Sequence, residues 1–142
     1  MRAYADTSFL VSLYTPDANS VSAAKKMEDL RTALLLTPFG ELELSNALEL
    51  RVFRGELTHS EVEAARAALQ DDMEKGIYAR RPLPGALFER AMEITRKRTA
   101  RLGPRTLDVL HVACALTLLA DTFYSFDRNQ KRLARAEGLK TP

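Results

Sequence analysis

Four acids stand where solubility gives little reason for a carboxylate. Asp6 follows the short apolar run Ala3-Tyr4-Ala5, and Asp127 follows Ser125-Phe126 at the end of an aromatic stretch. Asp108 sits in the first turn of an apolar helical pattern and is the only acid between Glu93 and Asp121; Glu43 lies near the start of a helical pattern after the apolar run 33–37. Carboxylates gathered at one point repel each other and are costly to bury unpaired, and a divalent cation between their oxygens relieves both problems. Oxygen donors with no histidine or thiolate among them favour Mg²⁺ or Mn²⁺ over zinc. Such ions polarise a phosphodiester, acidify a water and steady a leaving oxygen. The chemistry expected of the set is hydrolysis by a metal-activated water, without a covalent intermediate.

Each acid also has a plainer role. Asp6 can cap a helix over 7–14, Asp127 can cap the final helix, and Asp108 suits the positive end of its own helix. Glu43 can be a solvated helix residue like Glu41 and Glu49. The recurrence of four acids at equivalent edges favours a shared site.

Those edges come from the order of elements. Ala3–Asp6 and 33–37 read as buried strands, the second with the continuous apolar character of a parallel sheet covered on both faces. Thr122–Phe126 is a third strand, Gly76–Leu83 is extended, and Leu139–Thr141 is an edge strand. Helices are expected at Ser8–Tyr14; at Val21–Arg31 behind a cap at Asn19 or Ser20, with apolar Val21, Ala24, Met27 and Leu30 at helical spacing; and at Glu41–Phe53. Others follow at Ser60–Glu74, with Thr58 and Glu61 as a capping box, at Ala86–Arg101, at Leu107–Ala120 capped by Thr106, and at Arg128–Glu137. Strands alternating with helices imply one α/β domain, residues 1–142, around a parallel sheet. Ligands of such sheets bind beyond the carboxyl ends of the strands, where Asp6 and Asp127 fall.

Composition narrows the function classes. A chain of 142 residues buries roughly two-thirds of its unfolded surface without help from a cofactor or disulfide. Its single cysteine, Cys114, excludes a disulfide framework or a cysteine-rich zinc site and reads as a small buried hydrophobe. With no secretory leader pattern and no apolar run of about 18 residues, a cytoplasmic protein without membrane contact is expected. The net charge of +2 says little. Its distribution says more, because residues 96–105 carry five basic residues and no acid, which suits a phosphate backbone as well as a helix C-terminus ending at Gly103-Pro104.

Tyr4-Ala5-Asp6-Thr7-Ser8-Phe9-Leu10, Glu43-Leu44-Ser45-Asn46-Ala47, Leu107-Asp108-Val109-Leu110-His111-Val112-Ala113 and Tyr124-Ser125-Phe126-Asp127 resemble, in order and over essentially the whole chain, the motifs of the PIN-domain ribonucleases. The likeness is strongest to the VapC-type toxins of toxin–antitoxin systems. It departs from their pattern at Ser125, where threonine is common, and at Leu107, where a small residue is frequent. The resemblance implies a three-layer α/β/α sandwich with a short parallel sheet, a Mg²⁺- or Mn²⁺-dependent endoribonuclease, a homodimer, and a co-encoded antitoxin. Carried over, Asp6 and Asp108 are the principal metal ligands, Glu43 completes the first ion's surroundings directly or through water, and Asp127 holds a water or a second ion. Thr7, Ser8, Ser125 and Asn129 fit residues that orient these carboxylates, and equally fit helix caps.

Beside such a site the basic run leads straight to Asp108, so Arg101 and Arg105 are the expected RNA-phosphate contacts. His111, one turn after Asp108, reads as a core or orienting residue rather than a general base, and His59 as solvated. Leu42, Leu50, Phe53, Leu57 and Leu69 exceed what a small sheet must cover and suit either a partner or helix-hairpin packing. Two alternatives remain: a PIN-type nuclease of RNA processing with no antitoxin, and a receiver-like binding module. The second wants an acid pair after the first strand and a lysine after a late one, and the chain offers neither.

Overall fold

Three-residue strands cannot stand alone, and here they pair with one another. The computed structural model describes residues 1–142. Strands β1 (Ala3–Ala5), β2 (Leu34–Leu36), β3 (Tyr78–Arg80) and β4 (Thr122–Tyr124) form one parallel sheet in the order β3-β2-β1-β4. Their alternation sorts side chains to two faces. Ala3, Ala5, Leu34 and Leu36 meet Phe9, Leu10, Leu44, Leu48 and Val62 on one side, while Tyr4, Leu35 and Phe123 meet Ile94, Val109, Val112 and Leu133 on the other. The first group draws on helices α1 (Thr7–Tyr14), α2 (Ser20–Asp29), α3 (Pro38–Phe53) and α4 (His59–Glu74). The second draws on α5 (Leu87–Ile94), α7 (Thr106–Thr117) and α8 (Arg128–Ala136). This is the expected three-layer α/β/α sandwich. Cys114 is fully buried, as a small hydrophobe should be. No helix is long and apolar enough to cross a membrane.

Several boundaries differ from those read in the sequence. Helix α3 starts three residues early, because Thr37 accepts the Gly40 amide at 3.2 Å and Pro38 takes the first helical position, where its missing N–H costs nothing. Glu43 is therefore in the second turn. Helix α2 turns inward on Ala23, leaving Val21 85% exposed, and Asn19 makes no side-chain cap. Asp17 stands in by accepting the Asn19 amide at 2.8 Å.

The expected helix 86–101 is interrupted by a π-helical segment, Thr95–Thr99, before α6 (Ala100–Leu102) and the left-handed Gly103. Over this stretch Lys97 and Arg98 reach the buried carboxylate of Glu137 at 3.8 and 2.9 Å. Helix α7 ends at Thr117, not Ala120, as Leu119 at φ 60° reverses the chain into β4. The edge strand at 139–141 reduces to a single bridge between Lys140 and Thr122. The Thr58–Glu61 capping box is present. Leu57 and Leu69 pack in the hairpin, whereas Leu42, Leu50 and Phe53 remain exposed.

Candidate active site

Parallel pairing brings the carboxyl ends of β1 and β4 side by side, so Asp6 and the segment 125–127 meet. The Asp6 amide donates to the Tyr124 carbonyl at 3.0 Å, and the Phe126 amide donates to the Ser8 hydroxyl at 3.0 Å. Helix α3, entering after β2, contributes Glu43, and α7 contributes Asp108 from its first turn. The result is a cleft of about 480 Å³ lined by Asp6, Thr7, Ser8, Glu43, Asp108 and Asp127, with Arg105, Thr106, Leu107 and His111 completing its wall.

The capping roles and the shared cleft coexist. Asp6 caps α1, its Oδ1 accepting the Phe9 amide at 3.1 Å and the Ser8 hydroxyl at 2.7 Å, while Oδ2 accepts the Ser125 hydroxyl at 2.5 Å. It is only 5% exposed, and burial raises its carboxyl above the usual carboxylate range against the opposing pull of these donors. Asp127 caps α8 through Oδ1, which takes the Asn129 and Gln130 amides at 2.8 and 3.0 Å. Asp108 reaches back to the Arg105 amide through Oδ2 at 3.2 Å, with the Arg105 guanidinium 3.6 Å away. Glu43 meets the His111 ring through Oε1 at 3.2 Å. Three acids therefore keep one oxygen without a protein donor: Oε2 of Glu43, Oδ1 of Asp108 and Oδ2 of Asp127.

As the side chains stand, no three His, Cys, Asp or Glu groups close around one point as a metal cage. The cleft is open and lined by hard carboxylate oxygens. That donor chemistry fits Mg²⁺ or Mn²⁺, which keep several waters and use few protein ligands.

Most of the expected site residues converge, but three do not line the wall. Ser125, 2% exposed, lies behind Asp6 and bonds it directly while accepting the Asp127 amide at 3.0 Å. Asn129 contributes only its backbone amide and is otherwise exposed. Arg101 is in α6, exposed and outside the lining, whereas Arg105 is at the rim with an 86% exposed side chain. Thr106 is not the cap of α7 but its first residue, Arg105 holding the cap position.

Two further residues bear on the site, of which the sequence does not single out Gln130. His111 is in the cleft wall; its position one turn after Asp108, on the same helix face, is the signal that points to it. Gln130, 1% exposed, donates its Nε2–H to the Asp108 carbonyl at 3.1 Å and fixes α8 to the start of α7. A glutamine one turn before the buried pair Leu133 and Ala134 is a polar residue on an inward face.

Residues 3–136 match the family model described as PIN domain. A search of curated protein sequences finds no match. Among solved structures, VapC20 of Mycobacterium tuberculosis, described as a Sarcin-Ricin loop cleaving toxin, is similar with TM-score 0.70 and 18% identity over 92% of this chain and 93% of that one. FitAcB from Neisseria gonorrhoeae gives 0.67 and 16% over 98% and 95%. VapBC2 from Rickettsia felis, bound to a DNA fragment from its promoter, gives 0.67 and 14% over 100% and 98%.

Proposed function

Because this chain belongs to the PIN-domain family, a family of nucleases, we propose that it is a Mg²⁺- or Mn²⁺-dependent endoribonuclease and the toxin of a type II toxin–antitoxin pair. The observation that carries the reading is the convergence of Asp6, Glu43, Asp108 and Asp127 on one cleft, three of them with a free oxygen. When bound there, the ion supplies charge neutralisation for a scissile phosphate and acidity for a water.

The protein's own part is placement. Ser8, Ser125 and the Phe9 amide hold Asp6 rigid, Asp108 is held by the first turn of α7, and Asp127 by the first turn of α8. Thr7 and Ser8 line the wall between them. The substrate approaches over the basic side of the molecule. Residues 96–137 hold nine Lys and Arg against four acids, one of which, Glu137, pairs with Lys97 and Arg98, whereas 41–74 hold nine acids against three basic residues. Arg101 and Arg105 bind phosphates at the near edge of that face, and such contacts position a backbone without reading bases.

A protein partner accounts for Leu42, Leu50 and Phe53, the last 87% exposed, along one helix. We assign them to contact with an antitoxin and with a second copy in a homodimer. VapC20, similar to this chain in fold, is described as a toxin, which supports an antitoxin partner here. The receiver-like alternative falls with the family assignment. A role in the cytoplasm completes the reading.

The deciding experiment is cleavage of structured and unstructured RNAs with and without Mg²⁺ or Mn²⁺, using wild type, Asp6→Asn and Asp108→Asn. Metal-dependent cleavage lost in both variants, with circular dichroism unchanged, is expected. Undiminished cleavage in both would remove the site; a small upstream frame encoding a DNA-binding protein separates the toxin from an RNA-processing nuclease.

A further inference from the structure

His111 is 3% exposed, and both of its ring nitrogens are engaged. Nδ1 is 2.8 Å from the hydroxyl of Tyr4, itself 1% exposed in the central strand. Nε2 is 3.2 Å from Oε1 of Glu43 and 3.3 Å from the Thr7 hydroxyl. The ring is clamped by Phe39 at a centroid distance of 4.5 Å and by the edge of Tyr4 at 5.8 Å. Turned over, the ring would present carbon to both the Tyr4 hydroxyl and Glu43.

These contacts determine where the hydrogens are. An ionised carboxylate only accepts, so the bond to Glu43 requires a hydrogen on Nε2. A neutral imidazole then has a bare Nδ1, which is the acceptor the buried Tyr4 hydroxyl needs. The chain runs one way: Tyr4 O–H donates to Nδ1, and Nε2–H donates to Glu43. With both nitrogens spoken for, neither is left to take a proton from a water in the cleft.

We propose that His111 is a positioning residue and Tyr4 its anchor at Nδ1, together holding Oε1 of Glu43 so that Oε2 is the oxygen presented for a cation. Partners of this kind, one shell outward from a ligand, are worth about ten- to a hundredfold in metal affinity. The inference rests on the reading of Glu43 as a metal-site residue, and the experiment keeps the two apart.

Two measurements on the metal-free and Mn²⁺-titrated protein test it. In ¹⁵N-resolved NMR without metal, His111 carries its hydrogen on Nε2 with Nδ1 bare, and Tyr4→Phe keeps that hydrogen while shifting the Nδ1 resonance that loses its partner. A hydrogen on Nδ1 with a bare Nε2 in the wild type would overturn the proposal, and this arm needs no variant to fold. In Mn²⁺ titrations followed by electron paramagnetic resonance, Glu43→Gln weakens binding, and His111→Ala weakens it by about ten- to a hundredfold. His111→Gln, which returns an N–H near the same place, recovers part of the loss. Wild-type Mn²⁺ affinity in a folded His111→Ala beside a weakened Glu43→Gln sinks the positioning role and leaves the site standing. Wild-type affinity in Glu43→Gln sinks the reading of Glu43 itself.

Discussion

Ser125 and Asp6, 119 residues apart in the chain, share a hydrogen bond of 2.5 Å that ties the end of β4 to the end of β1. The same hydroxyl accepts the Asp127 amide at 3.0 Å, so one serine links two of the four acids.

Ser125→Ala leaves a buried carboxylate oxygen and a backbone amide without their partner. Stability falls by about 1–3 kcal/mol, the usual cost of orphaning buried polar groups, and cleavage falls with it. Ser125→Thr keeps the hydroxyl and retains both. Thermal melts and initial cleavage rates check the pair; an Ala variant that melts and cleaves like wild type contradicts the role.

Arg101 and Arg105 are expected to contribute phosphate contacts. In an Asp6→Asn background that binds without cutting, replacing either by Ala weakens single-stranded RNA binding. It also reduces the slope of log affinity against log salt by about 0.7 per lost contact. Filter binding over a salt series measures the slope. An unchanged slope for Arg105→Ala moves the RNA path off this rim.

Burial pushes the Cys114 thiol up to about 11. Thiolate is the reactive form, so at pH 8 the folded protein does not react with Ellman's reagent on the minutes timescale. The same thiol reacts at once in guanidinium. Fast labelling of the native protein refutes the buried setting.

Asp17 carries a pH signature. Slight burial pushes its carboxyl up, but bonds from the Ser12 hydroxyl, the Asn19 amide and the Ser20 hydroxyl outweigh it and hold the group below the usual range. A carboxyl depressed in the folded state stabilises at pH above its unfolded value and loses that contribution as pH falls through the folded one. Melting temperature therefore drops more steeply below about pH 4 in wild type than in Asp17→Asn. Parallel curves for the two proteins show that Asp17 does not supply the acid-side slope.

The sequence by itself determined the layered α/β class and the four acids. Buried parallel strands are continuous apolar runs, so Leu34–Leu36 and Ala3–Ala5 identify themselves, and an acid directly after such a run is conspicuous. The sequence also posed capping and site chemistry as alternatives for Asp6, Asp108 and Asp127. The tertiary structure gathers all three caps at one cleft, with the second oxygen of Asp6 taken by Ser125 and those of Asp108 and Asp127 left without a protein donor.

Other features depend on contacts that no local pattern encodes. The inward face of α2 is Ala23 rather than Val21 because the docking angle, not periodicity alone, decides which side is covered. His111 reads as a core or orienting residue, but what it orients appears only when folding brings Tyr4, 107 residues away, and Glu43, 68 residues away, to its two nitrogens. Chain order could place Asp6 at the end of a strand. What stands behind it, and what holds its neighbours, is decided where distant segments pack.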